Sequence, residues 1–136
     1  MKRTKRKILI FFFSLLLLYM VPSIYVSAKV YTIARSSYDS YGNLNPYSDI
    51  VSDETFRKLC YRSDVTLFDQ TATEKDFMIF PITYFWDGAA KTTYWYSYEA
   101  QDEKGEGVSG SRNVPVYITL HLIQGKWRIT DHYEHP

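Results

Sequence analysis

A single cysteine, Cys60, rules out a disulfide within this chain of 136 residues and any metal site built on paired thiolates. It also lies too far from the small residues that close the first apolar run to carry a lipid, and it reads as a small buried hydrophobe on a helix face. A G-x-S-x-G nucleophile turn is missing, and the one glycine-rich stretch, "KGEGVSGSR", joins two strands rather than opening a helix that would cradle phosphate. Past residue 7 the basic residues stand singly. Five of the 16 Lys and Arg precede residue 8, so 16 − 5 = 11 face all 15 Asp and Glu, a formal charge of −4 on the remainder. The electrostatic footprint of a nucleic-acid binder is therefore absent. His132, Glu134 and His135, with His121 nearby, superficially suggest a metal site. On a strand, however, residues 132 and 135 point to opposite faces, so neither a metal nor another cofactor is expected.

What is present begins with Lys2, Arg3, Lys5, Arg6 and Lys7, followed by the apolar run "ILIFFFSLLLLYM", Pro22 and the small-residue triplet "VSA" before Lys29. Residues 1–28 fit a secretory signal peptide, with cleavage favoured by Pro22 and the triplet. Residues 8–26 also suffice for a retained membrane anchor, which needs about 20 apolar residues. Either way the remaining chain is expected to be secreted or otherwise extracytoplasmic, touching a membrane only through residues 8–26 if they are kept.

Residues 29–48 show no sustained periodicity and are expected to form an irregular lead-in to a single α+β domain over 49–136. Ser52 can cap a helix, Asp53 and Glu54 suit its first turn, and Phe56, Leu59 and Cys60 follow at helical spacing, so a short helix is expected over 49–61. The period then changes to two. Strands are expected in "DVTLFD" (64–69), "FMIFPITYFW" (77–86), "KTTYWYSYEAQD" (91–102), "NVPVYITLHLI" and "KWRITDHYE", with "TATEKD" as a polar connection and Asp87-Gly88 as a hairpin turn. A short helix packed on a curved antiparallel sheet of about five strands follows from this order.

If Gln124-Gly125 is a two-residue turn, Leu122 faces Trp127, Leu120 faces Ile129, Ile118 faces Asp131 and Val116 faces Tyr133, all on one side. Asp131 is then an acid on an apolar face, either at a wet rim or in a pocket where it would bind or polarise a ligand. Tyr94, Tyr96 and Tyr98 alternate along one strand and form a ladder. That ladder either packs against neighbours such as Tyr117 or offers a platform to a protein or glycan partner.

The stretch from "YWYSYEAQ" to "GKWRITD", with its closing hairpin, resembles the C-terminal half of small exported bacterial proteins with an NTF2-like or cystatin-like α+β fold. The resemblance covers about residues 50–136. It implies a sheet wrapped into a cone, with Ile118, Leu120, Leu122, Ile129 and Asp131 lining or supporting the interior, and it transfers no catalytic residues. The expected function is a non-enzymatic binding or envelope-associated module. The alternatives are an NTF2-like ligand binder or enzyme built on Asp131, and a secreted inhibitor or immunity-type protein.

Overall fold

A computed structural model of the chain describes residues 2–40, 42–60, 71–79, 83–101 and 104–134. Its dominant element is a single helix, α1, Lys2–Asp39, which runs unbroken through Pro22. Proline has no N–H to offer the carbonyl four residues back, and this costs the helix one bond without ending it. Beyond Pro22 the buried residues are Ser23, Val26, Ser27, Val30, Ile33, Ala34, Ser37 and Tyr38, spaced by three and four in one stripe. The irregular lead-in expected over 29–48 is thus helix as far as Asp39. Three serines occupy the stripe and hide its apolar period.

Gly42, at φ 70°, closes α1 by donating its N–H to the Ser37 carbonyl at 2.9 Å. A Cβ at this position would meet the Arg57 Cα at 3.1 Å, so glycine also permits the turn to press on the next helix. That helix, α2, is Asp53–Lys58 and is shorter than the expected 49–61. Its cap is the expected one, with the Thr55 N–H donating to Ser52 Oγ at 3.2 Å.

Five antiparallel strands follow: β1 Thr71–Ile79, β2 Tyr84–Trp86, β3 Ala89–Gln101, β4 Gly107–Ile123 and β5 Lys126–Glu134. They fill four positions, in the order β1-β3-β4-β5, because β2 pairs with the same strand, β3, as β1 does. The segment "TATEKD" is part of β1 rather than a connection, "FMIFPITYFW" is divided between β1 and β2, and β4 begins at Gly107 inside the expected glycine loop. The strand expected at 64–69 lies outside the described residues. Both hairpin turns are as read: Asp87-Gly88 has φ 46° and 73°, and Gln124-Gly125 has φ 52° and 75°. Positive φ at both central residues matches the twist of the flanking strands.

One face of the sheet receives α1 and α2. Across it, Ala90 pairs with Leu120, Thr92 with Ile118 and Tyr94 with Val116, and all six side chains are buried. They join Val26, Val30, Ile33, Ala34, Val51, Phe56 and Leu59 in one core. The chain at Ile50–Val51 adds a short parallel bridge to β5, with the Ile129 N–H donating to the Ile50 carbonyl at 2.8 Å. The opposite sheet face carries Tyr117 and Tyr133, both exposed, with ring centroids 6.2 Å apart. Alternation with one face packed and one face wet is what a two-layer antiparallel fold requires.

Phe56 is the largest α2 side chain in this core and is fully buried, whereas Leu44 in the loop before it is exposed. Phe56→Ala is expected to lower unfolding stability by about 3–5 kcal/mol, and Leu44→Ala to change it by less than about 0.5 kcal/mol, in denaturant titrations followed by circular dichroism.

Candidate functional site

Between α1 and the β4–β5 turn lies a groove of about 300 Å³. Tyr25, Val26 and Lys29 from α1 form one wall, Ile50 the base, and Leu120 and Trp127 the sheet side. Its rim carries two cations. Lys126 Nζ stands 3.8 Å from Asp49 Oδ2, and Lys29 Nζ lies 5.4 Å from the centroid of the Tyr47 ring. An apolar floor under a rim of two lysines and the Asp49 carboxylate suits an amphipathic ligand with a polar head, and the volume falls at the small end of the range for ligand pockets.

The second polar cluster is at the other end of the sheet. A one-residue bulge in β5 creates it. Ile129 pairs with Leu120 and Asp131 pairs with Thr119, so Thr130 is the extra residue. Beyond it every side chain changes face. His132 is opposite Ile118 and Glu134 opposite Val116, both toward the core, and the Tyr96 hydroxyl donates to Glu134 Oε1. Burial holds the Tyr94 phenol well above its ordinary pKa, and the Glu134 carboxylate and Cys60 push the same way. Burial also holds the His132 imidazole below its ordinary range. Glu134 and Asp131 oppose that shift, and Lys58 adds to it.

The bulge overturns the expected pairing of Asp131 with Ile118: it pairs with Thr119 on the outer face. There it is exposed, as the wet alternative had it and not in a pocket, and its Oδ1 accepts from the His132 N–H at 2.9 Å. Leu122, expected to support an interior, is exposed as well. Tyr94 and Tyr96 are buried under the helices and form no exposed platform, while Tyr117 is on the opposite face. The Tyr98 side chain lies outside the described set. The residues singled out in the sequence are therefore not brought together at one site. Among the described residues, three His, Cys, Asp or Glu side chains nowhere gather as a metal would need.

No family model and no curated protein matches the chain. The groove therefore has to be judged on its own geometry. Sequence reasoning missed Lys29, Asp49 and Lys126 because each belongs to a different element. The one available signal was the stripe running from Ser23 to Tyr38, which places Lys29 beside Val26 and Val30.

The low His132 pKa has a definite consequence for stability. As pH falls below about 6.5, the unfolded chain takes up the imidazole proton before the folded one does, so stability declines with acidification. The urea midpoint is expected to drop between pH 7 and pH 5, and His132→Gln is expected to flatten that slope. Equal slopes in the two proteins would count against this account.

Proposed function

We propose that the chain is a non-enzymatic binding module of the cell envelope, held permanently at the outer surface of a membrane by α1. The observation that carries this reading is the continuity of α1 with the core. The helix contains an 18-residue window of mean hydropathy 2.3, only 6% of it buried, which is apolar surface left uncovered among the described residues. The second half is the central strut of the domain. A core helix of a soluble protein would bury its apolar run, and this one leaves it bare.

Cleavage beside Ala28 would remove Ser23, Val26 and Ser27, all buried. Ser23 Oγ accepts from the Thr83 N–H at 2.5 Å and donates to the Thr83 carbonyl at 3.2 Å. Ser27 Oγ lies 2.7 Å from Thr83 Oγ1 and 3.3 Å from Thr92 Oγ1. Losing Ser23, with Tyr19, would strip the Thr83 N–H and carbonyl of these side-chain partners, at about 1–3 kcal/mol for each group left unsatisfied, while the Thr83 and Thr92 hydroxyls keep each other at 3.2 Å. This favours a retained anchor over a cleaved signal. The basic residues ahead of the apolar run favour a cytoplasmic start with the α+β domain outside.

In this arrangement the module offers two surfaces for binding. One is the groove with its Lys29 and Lys126 rim. The other is the exposed Tyr117–Tyr133 pair, whose rings combine apolar area with hydroxyls in the way protein and glycan partners are gripped. The helix lying across one face of an antiparallel sheet is also compatible with the NTF2-like or cystatin-like resemblance of the C-terminal half.

Intact-mass measurement on protein recovered from producing cells is expected to find residues 8–28 still attached, in a membrane fraction that detergent releases and alkaline carbonate does not. A product starting at Lys29 in the medium would refute the retained anchor. Ser23→Ala is expected to destabilise the detergent-solubilised protein by about 1–3 kcal/mol.

A further inference from the structure

The apolar run of α1 is too short to cross a bilayer if the whole α+β domain stays in water. Charge ends at Lys7, and among the described residues the helix is first covered at Tyr19, whose hydroxyl donates to the Thr83 carbonyl at 3.1 Å and whose ring stands 5.9 Å from Phe85. Between them lie Ile8–Leu18, about 11 residues or about 16 Å of helix, against about 30 Å of hydrocarbon. Stretching of the lysine and arginine side chains and local thinning recover only part of that deficit. On the side of α1 that the sheet leaves bare, however, the apolar surface continues. Val21, Ile24 and Tyr25 are exposed, and the next charge is Lys29. Ile8 to Ala28 is about 21 residues, or about 30 Å, which matches the bilayer.

We propose that the end of the sheet carrying the β2–β3 and β4–β5 turns is seated in the outer leaflet of the membrane that α1 crosses, with Tyr84, Trp86, Leu122 and Ile123 in contact with lipid. This rests on the retained-anchor reading and adds the depth and orientation of the domain. The surface chemistry at that end is mostly apolar and aromatic. Asp87 and Lys126 are the exposed charges of the two turns and have to reach the headgroup region while their neighbours meet acyl chains. Trp86 is 83% exposed, Tyr84 65% and Leu122 51%, which is a heavy apolar and aromatic load for turns facing water. Trp and Tyr are the residues that settle at the boundary between headgroups and acyl chains. The two turns act as one body, since the Leu122 N–H donates to the Gly88 carbonyl at 3.1 Å and Phe85 packs on Trp127 at 5.5 Å between centroids. Lys29 and Lys126, on the groove rim beside Tyr25, then stand at the level of the lipid phosphates, where each cation gains from anionic headgroups. The groove mouth opens at the same level.

The test uses the full chain reconstituted in vesicles of phosphatidylcholine and phosphatidylglycerol, some carrying bromine at a shallow acyl position. Flotation reports the anchor, and bromine quenching of tryptophan fluorescence reports the seat. The wild-type chain is expected to float and to be quenched by shallow bromine, and Trp86→Phe is expected to lose at least half of that quenching while still floating. Protein that floats with Trp86 unquenched by bromine and open to iodide overturns the seat and leaves the anchor standing. Protein that floats with Trp86 shielded from both quenchers shows a second protein copy on the patch and also overturns it. Failure to float removes the anchor and the seat together. As a second variant, Leu122→Glu is expected to reduce quenching at least twofold without affecting flotation, because Leu122 lies outside the buried core.

Discussion

Everything else in the molecule depends on how α1 is keyed to the sheet by four buried hydroxyls. Ser23 and Ser27 on the helix meet Thr83 and Thr92 on the sheet side, and all four side chains are closed to solvent. Buried polar groups of this kind are costly unless paired, so the helix is held at one rotation and one height where each finds its partner. Serine is also small, so Ser23 and Ser27 add little bulk between α1 and the sheet at the positions where they meet Thr83 and Thr92. Fixing the rotation of the second half of a continuous helix fixes the rotation of the first half. Thus the interior of the domain decides which residues of the apolar run face away from the sheet.

The far end of the sheet is governed by a different local device. Without Thr130 as an extra residue, β5 would keep its alternation and present Asp131 to Ile118 and the core. With it, Asp131 goes to water, and His132 and Glu134 come in beside Tyr94 and Tyr96. Glu134 can be accommodated there because the Tyr96 hydroxyl donates to it and β5 is an edge strand near its last residues. The bulge sits at the middle of β5, and pairing resumes at once on both sides of it, so half of the strand is re-aimed at little cost in pairing.

The parts of the fold legible in the sequence were those set by local chemistry. Asp87-Gly88 and Gln124-Gly125 could be read because few residue pairs accept positive φ twice in succession, and Ser52 because a hydroxyl there has one obvious N–H to accept. The register of the last hairpin was legible from Ile123 back to Leu120 for the same reason. It failed at Thr130 because alternation is preserved on both sides of a bulge, and sequence carries no mark of the slip. The helix through Pro22 to Asp39 was missed for two reasons: proline suggests an end, and a stripe that is half serine and tyrosine does not look apolar. The groove was less legible still, since Lys29, Asp49 and Lys126 converge only once α1, the Tyr47–Val51 turn and the β4–β5 hairpin are assembled.

Those two ends give the sheet a polarity that the topology alone does not explain. Toward the apolar half of α1 it exposes Trp86, Tyr84 and Leu122, and toward the other end it gathers Tyr94, Tyr96, His132 and Glu134 around α2. A soluble domain has no reason to collect exposed aromatics at one end and inward-facing acid and imidazole at the other, because water surrounds both alike. Under the proposed membrane seat, an environment that changes along the helix axis would supply the reason. The groove lies between the two regimes, with its floor continuous with the apolar side and its lysines at the transition. Under the proposed seat, a ligand reaching it from the apolar side would enter along hydrocarbon and meet the Lys29, Lys126 and Asp49 rim only on arrival.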